Sequence, residues 1–222
     1  MVPAYNEAKV IGDVLATLAR LPYSVVVVDD GSSDDTFQVA RKYPVTVLHH
    51  VCNLGQGAAL QTGFEYVAAQ PGARFVITFD SDGQHDPDDI EALLAPLRAG
   101  THDVALGTRF ARRGRALAIP PLKRLVLRLG VWFTRLTSGL DLTDTHNGFR
   151  ALTVEAASQM HLTQRYMAHA SEILSRIAAL ELRYCEVPIT LRYTTYSLQK
   201  GQTVMQALNI LWDIAASRVR IR

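Results

Sequence analysis

Cysteine is scarce in this chain: Cys52 and Cys185 are the two among 222 residues. Two cysteines cannot form a disulfide framework, and no run of Cys and His has the spacing of a zinc site. The scarcity therefore favours a reducing compartment over secretion. We expect both cysteines to serve as small, buried hydrophobic residues.

Long hydrophobic runs are also missing. No stretch reaches the roughly 18 uninterrupted apolar residues that a membrane-spanning helix needs. The N-terminus lacks the basic region followed by a hydrophobic region that marks a secretion signal. These absences predict a cytoplasmic protein, which could still lie on the cytosolic face of a membrane as a peripheral protein.

The chain has almost no net charge, since 23 Lys and Arg stand against 21 Asp and Glu. This total gives no reason to predict a nucleic-acid partner. The charges are nevertheless segregated: ten of the acids lie in residues 29–35 and 80–91, whereas residues 104–140 contain eight bases and no acid. The separation predicts a metal-binding carboxylate cluster and an anion-binding surface.

Strands and helices are predicted to alternate over the first 110 residues. Short apolar or β-branched runs occupy residues 23–30, 45–48, 74–79 and 103–106. The valines of the first run follow one another without polar alternation, as in a strand buried on both faces of a parallel sheet. The length suits one domain with a single core. We therefore predict an α/β layered fold with a mainly parallel sheet.

Helix boundaries are predicted from capping residues. Asn6 is the candidate N-cap of a helix over residues 7–21, and Ser33 of a second helix. Asp86 is the candidate N-cap of a third, which Gly100 ends. Pro96 should kink or shorten that third helix.

Both acidic clusters follow predicted strands, at the sheet edge where α/β proteins bind ligands. Asp29 and Asp30 could simply form a turn and a helix cap. Asp80 and Asp82 are harder to explain structurally, because two neighbouring carboxylates repel each other unless a cation or a proton offsets the charge. This second pair predicts a site for Mg²⁺ or Mn²⁺.

Several motifs follow one another in an order that resembles a known family. They are PAYNE (3–7), DDGSSDDT (29–36), NLGQG (53–57), DSDGQH (80–85), GTR (107–109), a segment from Asp144 through NGFR (147–150), EVP (186–188) and KG (200–201). This series resembles the family 2 glycosyltransferases of GT-A fold, and within them the dolichyl-phosphate mannose synthase and bacterial polyprenyl-phosphate sugar transferase branch. The resemblance implies one GT-A domain over residues 1–222, with a nucleotide-sugar and metal half (1–110) and an acceptor half with interfacial helices (111–222).

The resemblance also implies roles for individual residues. The nucleoside pocket would be lined by Pro3, Tyr5, Glu7, Val27 and Asp29. The Mg²⁺ or Mn²⁺ site would comprise Asp80, Asp82 and Gln84, with Ser81 beside them. The donor or acceptor phosphates would face Arg109, Arg124 and Lys200. Arg124 could equally lie on a solvated helix face, with Lys123 or Arg128 in its role.

The implied reaction is an inverting transfer of a sugar from a GDP- or UDP-linked donor to an acceptor, with a polyprenyl phosphate favoured. A phosphate oxygen is already ionised at neutral pH, so no strong base is required. Asp144 is the best candidate for a catalytic carboxylate near the acceptor, and a structural role is equally open. His85 and His146 are expected to be solvated or hydrogen-bonded loop residues.

Two segments suit a membrane surface. Residues 116–140 mix apolar and aromatic residues with four bases, as in a helix lying in a membrane interface. Residues 203–217 also contain an apolar stripe. The first segment could instead be an ordinary amphipathic helix that closes the core, and the second could form a dimer contact. Because no spanning helix is predicted, an anionic membrane surface or a small membrane-protein partner would localise the chain.

One departure from the resemblance concerns the first strand. Only Met1 and Val2 precede Pro3, so we expect this strand to be missing or badly shortened. A haloacid-dehalogenase-type phosphatase and a dinucleotide-binding protein are weaker alternatives, because their motifs are incomplete here. A sugar-nucleotide-binding or scaffold subunit without turnover remains the non-enzymatic alternative.

Overall fold

The structure, a computed structural model, describes residues 1–109, 115–116, 139–144, 147–165 and 168–192. The candidate residues Arg124, His146 and Lys200 lie outside the described residues. So do Lys123 and Arg128, residues 117–138 of the first predicted interfacial segment, and all of residues 203–217.

The described part of the chain contains nine strands. They are β1 (Val2–Ala4), β2 (Val26–Asp29), β3 (Thr46–His49), β4 (Phe75–Thr78), β5 (Val104–Thr108), β6 (Arg115–Ala116), β7 (Arg150–Thr153), β8 (Tyr184–Pro188) and β9 (Thr190–Leu191). Strands β1, β2 and β3 are parallel, and β5 is parallel to β8. Strand β7 lies between β4 and β5 and runs antiparallel to both. The sheet is therefore mainly parallel, as predicted.

Strand β1 joins the two groups of strands despite its three residues. Its backbone pairs with β2, and the Met1 carbonyl accepts a hydrogen bond from the Phe79 N–H at 3.0 Å. The Met1 amino group donates to the Ile77 carbonyl at 2.8 Å. These alternating bonds are those of parallel strands, so β1 lies between β2 and β4. The first strand is short, as expected, but it is present and paired on both sides.

Six described helices cover the two faces of the sheet. They are α1 (Ile11–Leu18), α2 (Thr36–Ala40), α3 (Gln56–Ala68), α4 (Ile90–Arg98), α5 (Val154–Ser158) and α6 (His169–Ala179). Helices α1 and α4 pack on a core cluster that includes Val27 and Ala105, whereas α3 and α6 pack on a second cluster that includes Val104 and Leu152. Because successive strand residues point to opposite faces, β5 contributes to both clusters.

Two predicted helix caps are wrong. Helix α1 begins at Ile11 and α2 at Thr36, and neither has a side-chain cap. Asn6 instead adopts a positive φ of 55°, and its Oδ1 accepts a hydrogen bond from the Ser33 N–H at 2.9 Å. The two residues thus tie the loop after β1 to the loop after β2, a tertiary contact that local sequence patterns do not reveal.

The third predicted helix start is correct. Asp86 Oδ1 accepts a hydrogen bond from the Asp88 N–H at 3.2 Å, and Pro87 begins a short 3₁₀ turn that leads into α4. Helix α4 ends at Arg98, two residues after Pro96, and Gly100 follows with a positive φ of 68°. The helix is therefore short, as its internal proline predicts.

The expected burial of the cysteines is wrong for Cys52. Its side chain is exposed in the loop after β3, whereas Cys185 is partly buried in β8. Both are free thiols.

Within the described residues, no helix has the length and apolar character needed to cross a membrane.

Candidate active site

The predicted site residues gather at one edge of the sheet. Strands β4 and β5 point the same way because both are antiparallel to β7, and β1 and β2 share that direction. Their carboxyl ends therefore meet at a common edge. Tyr5, Asp29, Asp80 and Arg109 lie at the ends of these four strands.

Asp80 is held by a buried histidine. Its Oδ2 lies 2.9 Å from His85 Nε2, and 29% of its side-chain surface is exposed. Burial disfavours the charged form of Asp80, but the hydrogen bond with His85 and the electrostatic interactions with His85 and Arg150 outweigh it. The pKa of Asp80 is therefore lower than its ordinary value, so the carboxylate stays ionised.

The pKa of Asp82 is shifted in the opposite direction. Desolvation, followed by the charge of Asp80, raises its pKa above the ordinary value. Its two carboxylate oxygens accept hydrogen bonds from Gln84, one from the backbone N–H at 3.0 Å and one from Nε2 at 2.6 Å. Asp82 thus carries unfavourable negative charge that a bound cation would offset.

A divalent cation fits this donor set. Two carboxylates and the amide oxygen of Gln84 are hard oxygen ligands, which Mg²⁺ and Mn²⁺ prefer. No three His, Cys, Asp or Glu side chains of the described ranges form a ready metal-binding group by themselves. The remaining ligands would therefore come from a substrate, as is common for cations that bind with phosphates.

His85 is buried, so the expectation that it could be solvated is wrong, while the hydrogen-bonded alternative is correct. Only 5% of its surface is exposed. Its ring lies 4.8 Å from the ring of Phe149 and 5.5 Å from that of Phe79. Its Nδ1 atom has no hydrogen-bond partner among the described residues. The two aromatic rings thus fix the imidazole with Nε2 toward Asp80.

Arg109 and Asp144 form a bidentate ion pair. Arg109 Nε donates to Asp144 Oδ2 at 2.6 Å, and Nη2 donates to Oδ1 at 2.7 Å. The backbone N–H of Arg109 also donates to Oδ2, at 3.1 Å. The side chain of Asp144 is 1% exposed and that of Arg109 is 11% exposed. The carboxylate therefore holds the arginine, and it is poorly placed to act as a base.

Arg150 is a site residue that sequence reasoning missed. It is 3% exposed at the start of β7, and burial lowers its pKa to about 10, against the opposing charges of Asp80 and Asp144. It stays protonated at neutral pH and contributes a positive charge that interacts with both carboxylates. The NGFR motif contains it, but its direction depends on the antiparallel register of β7.

The chain matches the family model described as glycosyl transferase family 2 over residues 1–159. This match covers most of the chain and includes all strands from β1 to β7.

The chain belongs to glycosyl transferase family 2.

Relatives of this family 2 glycosyltransferase match it nearly end to end. An uncharacterized protein of Methanocaldococcus jannaschii, MJ1222, is 37% identical over 99% of this chain and 91% of its own length. The UDP-N-acetylglucosamine–dolichyl-phosphate N-acetylglucosaminyltransferase of Methanococcus voltae is 32% identical over 96% and 93%. The undecaprenyl-phosphate mannosyltransferase of Micrococcus luteus is 32% identical over 97% and 93%.

Solved structures share the fold of this glycosyltransferase. Glucosyl-3-phosphoglycerate synthase from Mycobacterium tuberculosis, crystallised with Mn²⁺ and UDP-glucose, superposes with a TM-score of 0.66 at 21% identity. The alignment covers 96% of this chain and 76% of that one. The predictions of a GT-A fold and of a glycosyltransferase are thus confirmed, and the phosphatase and dinucleotide-binding alternatives are wrong.

The residues predicted for the nucleoside pocket differ in how accessible they are. Tyr5 is 42% exposed, whereas Pro3 is buried and Glu7 is 7% exposed. The side chain of Val27 packs in the hydrophobic core. Tyr5 is therefore the member of this set whose side chain is most available to a ligand.

Asp29 and Asp30 are both engaged within the glycosyltransferase fold. Asp29 is completely buried and bonds to Ser32 and to His49 Nδ1, the latter at 2.7 Å. Asp30 accepts the backbone N–H groups of Leu54 at 3.0 Å and Gly55 at 2.7 Å. Asp30 thus fixes the loop that leads into α3, a structural role that differs from the local turn and helix cap of the simpler interpretation.

Proposed function

We propose that this chain is an inverting, metal-dependent glycosyltransferase that transfers a sugar from a nucleoside-diphosphate sugar to a polyprenyl phosphate at the cytosolic membrane surface. One observation carries the proposal. The carboxylates of Asp80 and Asp82, after β4, lie at the same edge of the sheet as the cations Arg109 and Arg150. Two of the relatives that match nearly end to end are named for a dolichyl or undecaprenyl phosphate acceptor, which supports the acceptor class.

In the proposed reaction, the carboxylate pair binds the metal ion that holds the nucleoside-diphosphate sugar donor. Asp80, Asp82 and Gln84 would hold Mg²⁺ or Mn²⁺, and Ser81 is buried beside them. A bound divalent cation supplies Lewis-acid stabilisation to a departing diphosphate. His85 keeps Asp80 oriented and ionised for this role. The Mn²⁺ complexes of the structural neighbour support the choice of a divalent ion.

In the proposed reaction, the arginines stabilise negative charge on the substrate phosphates. When the bond from the sugar to the diphosphate breaks, negative charge develops on the leaving oxygens, and preorganised cations stabilise it. Arg109 is such a cation because Asp144 fixes its guanidinium before any substrate binds. A buried, preorganised arginine also stabilises the developing charge without the solvent reorganisation that an exposed arginine would require.

The acceptor needs little help from a base. A polyprenyl phosphate presents an oxygen that is already ionised at neutral pH. Asp144, predicted as the best candidate base, is occupied by Arg109 and is almost fully buried. Attack by the phosphate oxygen opposite the leaving diphosphate would invert the anomeric centre in one displacement.

The test is a donor panel of UDP- and GDP-linked sugars, assayed with and without a polyprenyl phosphate, in Mg²⁺, Mn²⁺ or EDTA. We expect release of the nucleoside diphosphate to require both the lipid phosphate and the metal. Asp82→Ala should abolish transfer, whereas Asp88→Ala, at an exposed acid on the 3₁₀ turn, should preserve it. Undiminished transfer by Asp82→Ala would sink the proposed metal site.

Two further measurements test the finer parts of the proposal. The anomeric configuration of the product, determined by NMR, should be opposite to that of the donor, and retention would contradict a single displacement. Binding of a nucleotide sugar without turnover under every condition would favour the alternative of a sugar-nucleotide-binding or scaffold subunit. Sedimentation with anionic vesicles, which neutral vesicles do not reproduce, would support the membrane location.

A further inference from the structure

Glu186 lies on β8, beside β5, the strand that directly precedes Arg109. Strands β5 and β8 are parallel, with Leu106 opposite Glu186 and Thr108 opposite Pro188. Arg109 follows Thr108 directly, so the Glu186 carboxylate and the Arg109 guanidinium belong to neighbouring strands at the same edge of the sheet. The segment that contains Thr143 and Asp144 bridges the two side chains, because it forms hydrogen bonds with both.

The Glu186 carboxylate binds this segment with three hydrogen bonds. Oε1 accepts the backbone N–H groups of Thr143 at 2.8 Å and of Asp144 at 3.0 Å. Oε2 accepts the Thr143 hydroxyl at 2.9 Å. Because a carboxylate is a strong acceptor of charge-assisted bonds, it fixes both the position and the direction of this backbone.

A hydroxyl contact connects the segment to β5 itself. Thr108 Oγ1 lies 2.7 Å from Thr143 Oγ1. When the Thr143 hydroxyl donates to Glu186, its oxygen can accept the Thr108 hydroxyl proton. Glu186, Thr143 and Thr108 then form one directed series of hydrogen bonds at the end of β5, next to Arg109.

Asp144 transmits this constraint to Arg109. Its backbone N–H is held by Glu186, and its carboxylate receives three donors of Arg109. A shift of the Asp144 backbone must therefore move the carboxylate, and the guanidinium would follow or lose its bidentate geometry.

We propose that Glu186 is a positioning residue for glycosyl transfer, which fixes Arg109 in its active orientation through Thr143 and Asp144. The inference rests on the proposed function, in which Arg109 stabilises charge on a substrate phosphate. Misplacement of a reactive contact by about 1 Å can cost about 100-fold in rate. Loss of Glu186 should therefore lower turnover through the displacement of Thr143, Asp144 and Arg109.

The kinetic test compares Glu186→Ala with Glu186→Gln. Glutamine retains one oxygen for the two backbone N–H groups, and its amide nitrogen can donate to Thr143 Oγ1. We expect kcat to fall about 10- to 100-fold in Glu186→Ala and within about 3-fold in Glu186→Gln. The matched control is Glu155→Ala, at an exposed acid on α5, which should retain wild-type turnover.

A double-mutant cycle separates positioning from a general structural effect. If Glu186 acts through Arg109, then Glu186→Ala should cost much less in the Arg109→Ala background than alone. Additive losses would overturn the inference. If Glu186→Ala retains wild-type kcat while Arg109→Ala does not, the inference fails and the proposed function stands. Unchanged turnover in Arg109→Ala would overturn both.

A spectroscopic measurement tests the inference without turnover. The Arg109 Nε–H should give a protected signal in ¹⁵N NMR because it donates to Asp144 at 2.6 Å, and Arg109→Lys assigns it. We expect Glu186→Ala to remove this protection and Glu186→Gln to retain it. Unchanged protection in Glu186→Ala would overturn the inference whatever the enzyme transfers. Circular dichroism confirms the fold of each variant. If the alanine variant unfolds, Glu186→Asp replaces it, because its shorter side chain withdraws the carboxylate from Thr143 and Asp144; unchanged protection in Glu186→Asp would overturn the inference.

Discussion

The carboxylate of Asp80 occupies the space in which a side chain at Gly148 would begin. A Cβ atom at position 148 would come closer than 3.0 Å to both Asp80 oxygens. Gly148 belongs to the segment before β7, and its carbonyl accepts the hydroxyl of Thr78 on β4. The absence of a side chain at this position therefore allows the candidate metal ligand to lie against the backbone.

This contact predicts that Gly148→Ala damages the site more than the fold. The new methyl group should displace Asp80 and lower transfer on the order of 100-fold. The measurements are nucleoside-diphosphate release and Mn²⁺ affinity. Gly12→Ala, in helix α1, is the control, because its Cβ would meet the movable end of Tyr43 at 3.1 Å. Equal activity of the two variants would show that Asp80 needs no such space.

The opposite pKa shifts of Asp80 and Asp82 predict a pH-dependent metal effect. The pKa of Asp82 is higher in the folded protein than in the unfolded chain, where it is near 3.8. Without metal, the folding stability that protonated Asp82 contributes is thus lost as the pH rises through its folded pKa. A divalent cation binds the ionised pair, so MnCl₂ should raise Tm more at a pH above the folded pKa of Asp82 than at a pH below it.

Asp82→Asn is the control for this pH dependence, since it removes the titrating group and keeps the shape. The variant should show a smaller Mn²⁺-induced change in Tm, with little dependence on pH. A wild-type Mn²⁺ response that is equal at both pH values would contradict the prediction.

The contact between His85 and Asp80 predicts different effects for two substitutions. His85→Gln can still donate from its amide nitrogen to Asp80, whereas His85→Phe fills the space between Phe79 and Phe149 without a donor. Loss of such a supporting bond costs about 10- to 100-fold in metal affinity or activity. We therefore expect His85→Phe to fold and to bind Mn²⁺ weakly, and His85→Gln to retain more affinity, as measured by titration calorimetry. Equal Mn²⁺ affinity in both variants would contradict this role of the hydrogen bond.

Phe149 connects the site to the hydrophobic core. It is fully buried, and its ring lies 5.2 Å from that of Phe79 in an edge-to-face arrangement. Phe149→Ala should lower the free energy of unfolding by about 3–5 kcal/mol, because it removes a large buried ring and leaves a cavity. Urea denaturation provides the measurement. Val51→Ala, at a side chain that is 99% exposed, should change stability by less than about 0.5 kcal/mol. Comparable losses in both variants would contradict the packing argument.

The sequence by itself determined those features that depend on neighbouring residues. The run of valines from Val25 to Val28 includes most of a buried strand, and Asp86, Pro87 and Gly100 mark the start and end of one helical segment. Asp80 and Asp82 follow an apolar strand, so the sheet edge that bears them was predictable. The order of short motifs also pointed to the family, since each motif is a local pattern.

Only the tertiary structure decided which side chains meet. Asn6 bonds to Ser33 rather than capping a helix, and Arg150 interacts with the charges of Asp80 and Asp144 from the start of β7, where it pairs with Thr78. Arg109 forms hydrogen bonds with Asp144, which is 35 residues away in the sequence, and Asp144 forms one with Glu186, which is 42 residues away. Such contacts depend on strand order and direction, which burial of the whole core selects. Local propensity therefore predicts the elements of this glycosyltransferase, whereas packing of the sheet determines the support of its active site.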